Sequence, residues 1–241
     1  MKIIASDFDN TIYYLEDDER NYRNKSNVET INNFINQGNI FIIITGRNYT
    51  DLKLLLNELG LRYSYLVCLD GAKIFNNVDY CLETKLMKPE EVTKIKEILD
   101  KIDCNYYLDD GYNRTENIND TVKVVVETKD EQEKEQILDI VNKEMNVHIY
   151  KSRYHVNLID KSVNKRDALK ILFNIENLDY NKLTCIGDND NDYLMLKEFD
   201  SVVMKDHHED LNELELKEYE TIKEFIEEIM WYGNTRIRWV L

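Results

Sequence analysis

Four short groups of polar residues stand at fixed places along this chain: Asp7-Phe8-Asp9-Asn10-Thr11, Thr45-Gly46-Arg47, Lys165, and Gly187-Asp188-Asn189-Asp190-Asn191-Asp192. Side chains alternate along an extended segment, so Asp7 and Asp9 share one side while Phe8 turns to the other. Two acids then face one cleft. Thr45, Gly46 and Arg47 offer a hydroxyl, an unobstructed amide and a planar guanidinium, a set suited to phosphate oxygens. Lys165 opens a helical pattern through Leu169 and Leu172, where a helix start adds positive potential to its ammonium. Cleaving a phosphomonoester is among the slowest uncatalysed reactions, with enzymatic accelerations up to ~10²¹-fold, whereas one acid or base supplies only about 10²- to 10⁴-fold. A nucleophile, a Lewis-acid metal and fixed cations must act together, and these four groups contain candidates for all three. Carboxylates about 4 Å apart repel by roughly 4 kcal/mol at an effective dielectric of about 20, so Asp7 and Asp188 call for a cation between them. Oxygen donors favour Mg²⁺. Taken singly, a D-x-D pair reads as a strand-to-loop turn and Lys165 as a surface residue; their ordered occurrence together is the signal.

These residues need elements to hold them. Five short apolar runs, at 2–6, 39–44, 65–69, 183–186 and 201–204, end abruptly in polar residues, and continuous apolarity suits strands covered on both faces. Helical patterns lie between the first three. One is expected to open at Ser26, with Glu29 completing a capping box, and to close near Gly38; a second ends at Gly60. Alternating strand and helix predict an α/β fold with a Rossmann-like parallel-sheet core, whose ligands bind beyond the carboxyl ends of the strands. After about Tyr80 the strand chemistry changes. A helix from Pro89 through Lys101, strands at 105–108 and 121–128, a helix from Asp130 to about Met145 and a strand through Tyr150 form an α-β-β-α-β unit. It is read as an inserted α/β cap domain, giving a first core part at 1–82, the cap at 83–157 and a second core part at 158–241.

Composition narrows the partners. Lys plus Arg total 31 against 47 Asp plus Glu, a formal charge of −16 that disfavours nucleic acid while leaving a small phosphorylated metabolite open. The longest apolar run falls far short of the roughly 20 residues that span a bilayer, and no secretory leader is visible, so a cytoplasmic protein is expected, as a monomer or small homo-oligomer. Cys68, Cys81, Cys104 and Cys185 form no C-x-x-C pair and read as free thiols. His148, His155, His207 and His208 show no metal-ligand spacing and read as surface or packing residues. Arg114, Lys123 and Arg153 are candidate substrate-contacting cations of the cap, with solvated charge the plainer reading; Asp190 and Asp192 alternatively cap a helix starting at Tyr193. The aromatic and basic tail from Trp231 through Arg236, Arg238 and Trp239 to Leu241 is expected to pack on the core.

In the order and type of these groups the chain resembles the haloacid dehalogenase superfamily, specifically its Cof-like, type IIB branch, over nearly the whole length. The resemblance implies a phosphatase in which Asp7 is the nucleophile and Asp9 first protonates the leaving oxygen, then activates water. It implies Mg²⁺ held by the Asp7 carboxylate, the Asp9 backbone carbonyl and the Asp188 carboxylate. Thr45, Gly46 and Lys165 hold phosphate with help from Asn191, Asp192 orients Lys165, and Arg47 binds phosphate or faces the cap. The alternatives it leaves are a sugar phosphomutase and a catalytically silent phospholigand-binding protein. Three departures from the family pattern bear on the ligand: Asn10 replaces glycine, Asp70-Gly71-Ala72 replaces Asn-Gly-Ala, and Lys205-Asp206-His207 replaces Gly-Asn-Ala.

Overall fold

A computed structural model of the chain describes residues 1–15, 18–151 and 155–234. The first part runs β1 (Ile3–Ser6), α1 (Asp18–Asn36), β2 (Ile40–Ile44), α2 (Tyr49–Leu59), β3 (Tyr65–Cys68), β4 (Lys73–Asn76) and β5 (Cys81–Thr84). Then come α3 (Pro89–Lys101), β6 (Asn105–Asp109), β7 (Arg114–Thr115), β8 (Lys123–Glu127), α4 (Glu131–Glu144), β9 (Val147–Lys151) and β10 (His155–Asp160). The chain ends with α5 (Lys165–Glu176), β11 (Leu183–Gly187), α6 (Tyr193–Glu198), β12 (Ser201–Met204), β13 (Glu218–Tyr219) and α7 (Ile222–Asn234).

Eight strands form one sheet in the order β13-β12-β11-β1-β2-β3-β4-β5. The six from β13 to β3 are parallel, and β4 and β5 extend the sheet antiparallel. Each central strand is apolar on both faces because helices cover both. Ile4, Phe41, Ile43 and Leu66 pack with Phe34 of α1, Leu52 of α2 and Phe225 of α7. Their neighbours Ile3, Ala5, Ile42, Ile44 and Val67 pack with Leu169, Leu172 and Phe173 of α5 and Met195 of α6. The chain moves outward from β1 in both directions, through β2 and β3 on one side and β11 and β12 on the other. The carboxyl ends of β1, β2, β3 and β11 therefore meet at a topological switch point, where such sheets bind ligands.

A second, antiparallel sheet has the order β7-β6-β8-β10-β9. One face packs Val124, Val126, Val156 and Leu158 against Ile95 and Leu99 of α3 and Ile137 and Val141 of α4. The other face is turned to the ends of the core strands.

Three elements differ from the sequence reading. Helix α1 begins at Asp18, eight residues before Ser26, because its early inward face is polar. Asn24 bonds both the N–H and the C=O of Tyr14 at 2.8 and 2.9 Å, and Asn27 donates to the carbonyl of Ile12 at 2.9 Å, so no apolar stripe marks those turns. Strand β10 sits between β8 and β9 in the second sheet, where the sequence reading has no strand and places the edge of the inserted unit at 157. Its alternation of His155, Asn157 and Ile159 with Val156 and Leu158 is that of a strand with one open face. The pair β4–β5 lies at the edge of the core sheet, and β5 ends at Thr84. The expected helix ends hold: Gly38 and Gly60 have φ of 80° and 65°, the left-handed conformation that closes a helix. Cys68 and Cys185 are buried free thiols, and Cys81 and Cys104 are half-buried ones.

Candidate active site

Asp7 leaves β1 still in sheet register, donating its N–H to the carbonyl of Ile186 at 2.9 Å. Phe8 points into the core, fully buried and stacked on Tyr13, which leaves Asp7 and Asp9 on the cleft side. The turn after them needs a left-handed residue. Asn10 supplies it at φ 59°, its N–H bonded to Tyr13 O at 2.8 Å; asparagine adopts this region at low cost, so the departure from glycine keeps the turn. The next residue, Thr11, donates from Oγ1 to Asp188 Oδ1 at 3.2 Å.

Lys165 is the first residue of α5, and Asn164 caps that helix by accepting from the Asp167 N–H at 2.9 Å. Its side chain is fully buried, yet it remains an ammonium with two carboxylate partners: Nζ donates to Asp7 Oδ1 at 2.6 Å and to Asp192 Oδ1 at 2.7 Å. Burial works to lower its pKa, and Asp192 and Asp7 more than offset that, leaving it raised. The other oxygen of Asp192 accepts from the backbone N–H groups of Asp188 and Asn189 at 3.0 and 3.1 Å. Asp192 is thus spent on Lys165 and its own loop, and its side chain does not cap α6. Gly187 makes this packing possible, since a Cβ there would lie 2.4 Å from Asp192 Cγ.

Asp7, Asp188 and Asp192 each bring an oxygen within 4.8 Å of the others. Three buried carboxylates against one ammonium leave the cluster short of positive charge. Burial, opposed by Lys165 and reinforced by Asp192 and Asp188, pushes the Asp7 carboxyl up; burial and then Asp192 push Asp188 up to about 6. The donor set is all oxygen and carries more negative charge than Lys165 balances, which fits a hard divalent ion between Asp7 and Asp188.

Thr45 follows β2, buried, with its hydroxyl accepting from the Arg47 N–H at 3.2 Å. The Arg47 guanidinium forks onto Asp9, with Nε 2.9 Å from Oδ2 and Nη2 2.6 Å from Oδ1, above the Phe8 ring at 5.4 Å. Asn191 donates from Nδ2 to Asp70 Oδ1 at 2.9 Å. Asp7, Asp9, Thr45, Gly46, Arg47, Asp188 and Asn191 all line one cleft of about 850 Å³, and Lys165 and Asp192 are fully buried, bonded in series to Asp7 of that lining.

A family model for haloacid dehalogenase-like hydrolases matches residues 4–121 and 105–224. The chain belongs to this family. Solved structures of haloacid dehalogenase-like proteins share its fold. A haloacid dehalogenase-like hydrolase from Bacteroides thetaiotaomicron is 18% identical with a TM-score of 0.77, covering 95% of this chain and 99% of its own. A HAD/COF-like hydrolase from Plasmodium vivax is 15% identical with a TM-score of 0.81, covering 96% of each chain. A haloalkanoate dehalogenase superfamily phosphatase, also from Bacteroides thetaiotaomicron, is 15% identical with a TM-score of 0.75, covering 97% and 95%. No curated protein matches the sequence significantly.

The roof of the cleft was the part of this haloacid dehalogenase-like site that the sequence hid. The strand register sets Tyr107, Val125, Asn157 and Tyr150 side by side across four strands, and all four line the cleft. Lys123, His148 and His155 flank that row, and His208 joins from the core, so three of the four histidines line the cleft where surface or packing places were expected. Period-two alternation through 147–151 and 155–160, read as one-faced strands, would have located them. Lys123 is buried with Asp109 3.6 Å away, whereas Arg114 is an exposed partner of Glu127 at 2.8 Å outside the cleft lining. Arg153 and the tail beyond Asn234 lie outside the described residues, and Trp231 is 71% exposed. Among the described residues no helix is long and apolar enough to cross a membrane.

Proposed function

We propose that the protein is a Mg²⁺-dependent phosphatase acting on a small phosphomonoester, such as a sugar phosphate, through an aspartyl-phosphate on Asp7. The observation that carries this reading is the buried Lys165 ammonium joining Asp7 to Asp192, with the Asp188 carboxylate crowded against them in one cleft. Asp7, the Asp9 backbone carbonyl and Asp188 are the donors that would hold the ion. When bound, Mg²⁺ neutralises the crowded carboxylates and withdraws charge from the phosphoryl oxygens.

Phosphate is held by the Thr45 hydroxyl, the Gly46 amide and Lys165, assisted by Asn191, while Asp192 keeps Lys165 aimed. An Asp7 oxygen forms a bond to phosphorus as the ester P–O bond breaks, and Asp9 in its acid form gives its proton to the leaving oxygen. Asp9, now a carboxylate, takes a proton from water as that water attacks phosphorus, the acyl-phosphate P–O bond breaks, and Asp7 is restored. Arg47 donates to both Asp9 oxygens in the free enzyme, a pairing that suits the carboxylate, so Asp9 releases Arg47 and takes up a proton from solvent before it serves as the acid. The cap residues over the cleft read the leaving group. A net charge of −16 disfavours polyanionic substrates and suits a small one inside the cleft. Release of inorganic phosphate from a metabolite panel with Mg²⁺, compared between wild type and Asp7→Asn, tests the proposal. Loss of turnover in the variant is expected, by at least about 10³-fold for removal of a nucleophile; equal rates would overturn it.

A further inference from the structure

Three buried side-chain atoms among the described residues have no hydrogen-bond partner: Asn27 Oδ1, Asp70 Oδ2 and Asn191 Oδ1. Two of the three belong to side chains already bonded to each other, through Asn191 Nδ2 and Asp70 Oδ1 at 2.9 Å, in the lining of the active-site cleft. Buried acceptors are rarely left without a donor, so two in one pair require an explanation. Asp70 has little freedom to move away. It is 2% exposed, sits in the left-handed region at φ 54°, and donates its N–H to Thr45 O at 2.9 Å. Its carboxyl rests on Gly46, with Oδ2 3.4 Å from the place a Cβ on that glycine would take.

A carboxyl and a primary amide are planar forks of the same width. One edge of an acid–amide pair is an amide N–H donating to a carboxyl oxygen, which is present here. The other edge would be a carboxylic O–H on Asp70 Oδ2 donating to the amide oxygen of Asn191, the two atoms left without a partner. That proton would satisfy both orphaned oxygens at once. The step is a proton transfer only: an O–H bond forms on Asp70 with a proton taken from solvent, and the carboxyl loses its charge. We propose that Asp70 is a neutral carboxylic acid in the folded protein, closed into a cyclic pair with Asn191, and that it is a positioning residue for the phosphate cradle.

The surroundings favour the neutral form. The charged and titratable groups facing Asp70 are Lys165 from α5, Asp192 from the loop after β11, His148 and Tyr150 from β9 and Lys123 from β8. Lys165 is committed to Asp7 and Asp192, and Lys123 to Asp109; among the described residues none of these cations makes an ion pair with Asp70. Burial pushes the Asp70 carboxyl up, against the pull of Lys165, His148 and the Asn191 bond. The pair also accounts for the family departure at this position: asparagine at 70 would close the same ring with its own NH₂, so aspartate keeps the geometry and adds a titratable proton. Ionisation opens the ring, frees the Asn191 amide and places a negative charge against Gly46. Phosphate affinity is then expected to fall as pH rises through the Asp70 titration.

This inference rests on the cleft being a phosphate site, and the test separates the two. An infrared difference spectrum at pH 7 between wild type and Asp70→Asn is expected to show the carbonyl band of a protonated carboxylic acid in the wild type alone, a readout that needs no turnover. Affinity of the Mg²⁺-loaded protein for inorganic phosphate, measured by calorimetry from pH 5.5 to 8.5, is expected to weaken with pH in wild type more than in Asp70→Asn. Asp70→Asn should match the low-pH wild type, and Asp70→Ala should bind about tenfold more weakly throughout. Absence of the acid band, or parallel pH dependence in wild type and Asp70→Asn, overturns the proposal. If the acid band is present and phosphate binds none of the proteins, the phosphate-site reading falls together with the positioning role, while the neutral acid stands.

Discussion

Asp188 carries the excess negative charge of the site in its most readable form. Burial and the neighbouring Asp192 raise its pKa from 3.8 to about 6. The folded state therefore holds a proton on this group more tightly than the unfolded chain does. The stability this contributes is complete below about pH 4 and is lost as pH rises through about 6. A shift of about two units corresponds to about 3 kcal/mol at most. In metal-free buffer, wild type should lose up to that amount relative to Asp188→Asn between pH 4 and pH 7, read from urea midpoints. With saturating Mg²⁺ the wild-type loss should shrink, because the ion takes the place of the proton, while Asp188→Asn should gain nothing from the metal. Parallel stability curves for the two proteins without metal would show that Asp188 is not under this strain.

At the scale of elements, the site depends on how closely β11, the loop after it and the start of α5 approach. Gly187 ends β11 directly beneath Asp192, and a methyl group there meets Asp192 Cγ at 2.4 Å, far inside contact distance. Either the strand end or the Asp192 side chain must shift, which breaks the bond to Lys165 or the two bonds to the loop amides. Gly187→Ala is expected to cost about 1–3 kcal/mol as overpacking, and to lower kcat by far more than it raises KM, since Lys165 loses its aim. Unchanged kcat with ordinary stability would show that the loop absorbs the methyl freely. Such loops were legible from sequence because each follows an apolar strand covered on both faces: β1, β2, β3, β11 and β12 were all found within a residue or so of their ends. Elements whose inner face is polar were not legible. The first turns of α1 bury Asn24 and Asn27 where apolar residues were sought, and β10 places His155 and Asn157 on an open face, so its period-two pattern passed for a connection.

The whole molecule joins two sheets, and what holds one over the other is a long-range contact that no local pattern announces. The turn between β6 and β7 carries Tyr112 down to the edge of the core sheet. Its ring meets Tyr49 and Phe75 edge-on at 5.6 and 5.8 Å and lies 3.5 Å from Lys73 Nζ, while its carbonyl accepts from Thr50 Oγ1 at 3.1 Å. Lys73 is 4% exposed, and burial lowers its pKa against the pull of Cys81, Asp110 and Asp109, so the Tyr112 face is one of the groups that offset the cost of burying its charge. Gly111 lets the turn settle here, since a Cβ would lie 2.5 Å from Lys73 Cε. The contact ties together residues about forty to sixty positions apart in sequence, which is why it could be found only in three dimensions. The polypeptide crosses between the sheets only at 85–88 and 161–164, so Tyr112 acts as a third fastening away from those crossings. Tyr112→Ala removes a cation–π contact of about 2 kcal/mol and two aromatic contacts of about 0.5–1.5 kcal/mol each. The expected outcome is a loss of about 3 kcal/mol in stability, faster hydrogen exchange at the β6–β7 turn and in 85–88, and a several-fold rise in KM with little change in kcat, because the chemistry sits on the core strands. Tyr112→Phe keeps the ring and should behave as wild type. If Tyr112→Ala left exchange and KM where they were, the two crossings and the other contacts between the sheets, such as Tyr150 Oη to Gly46 O at 3.4 Å, would suffice to hold the second sheet in place.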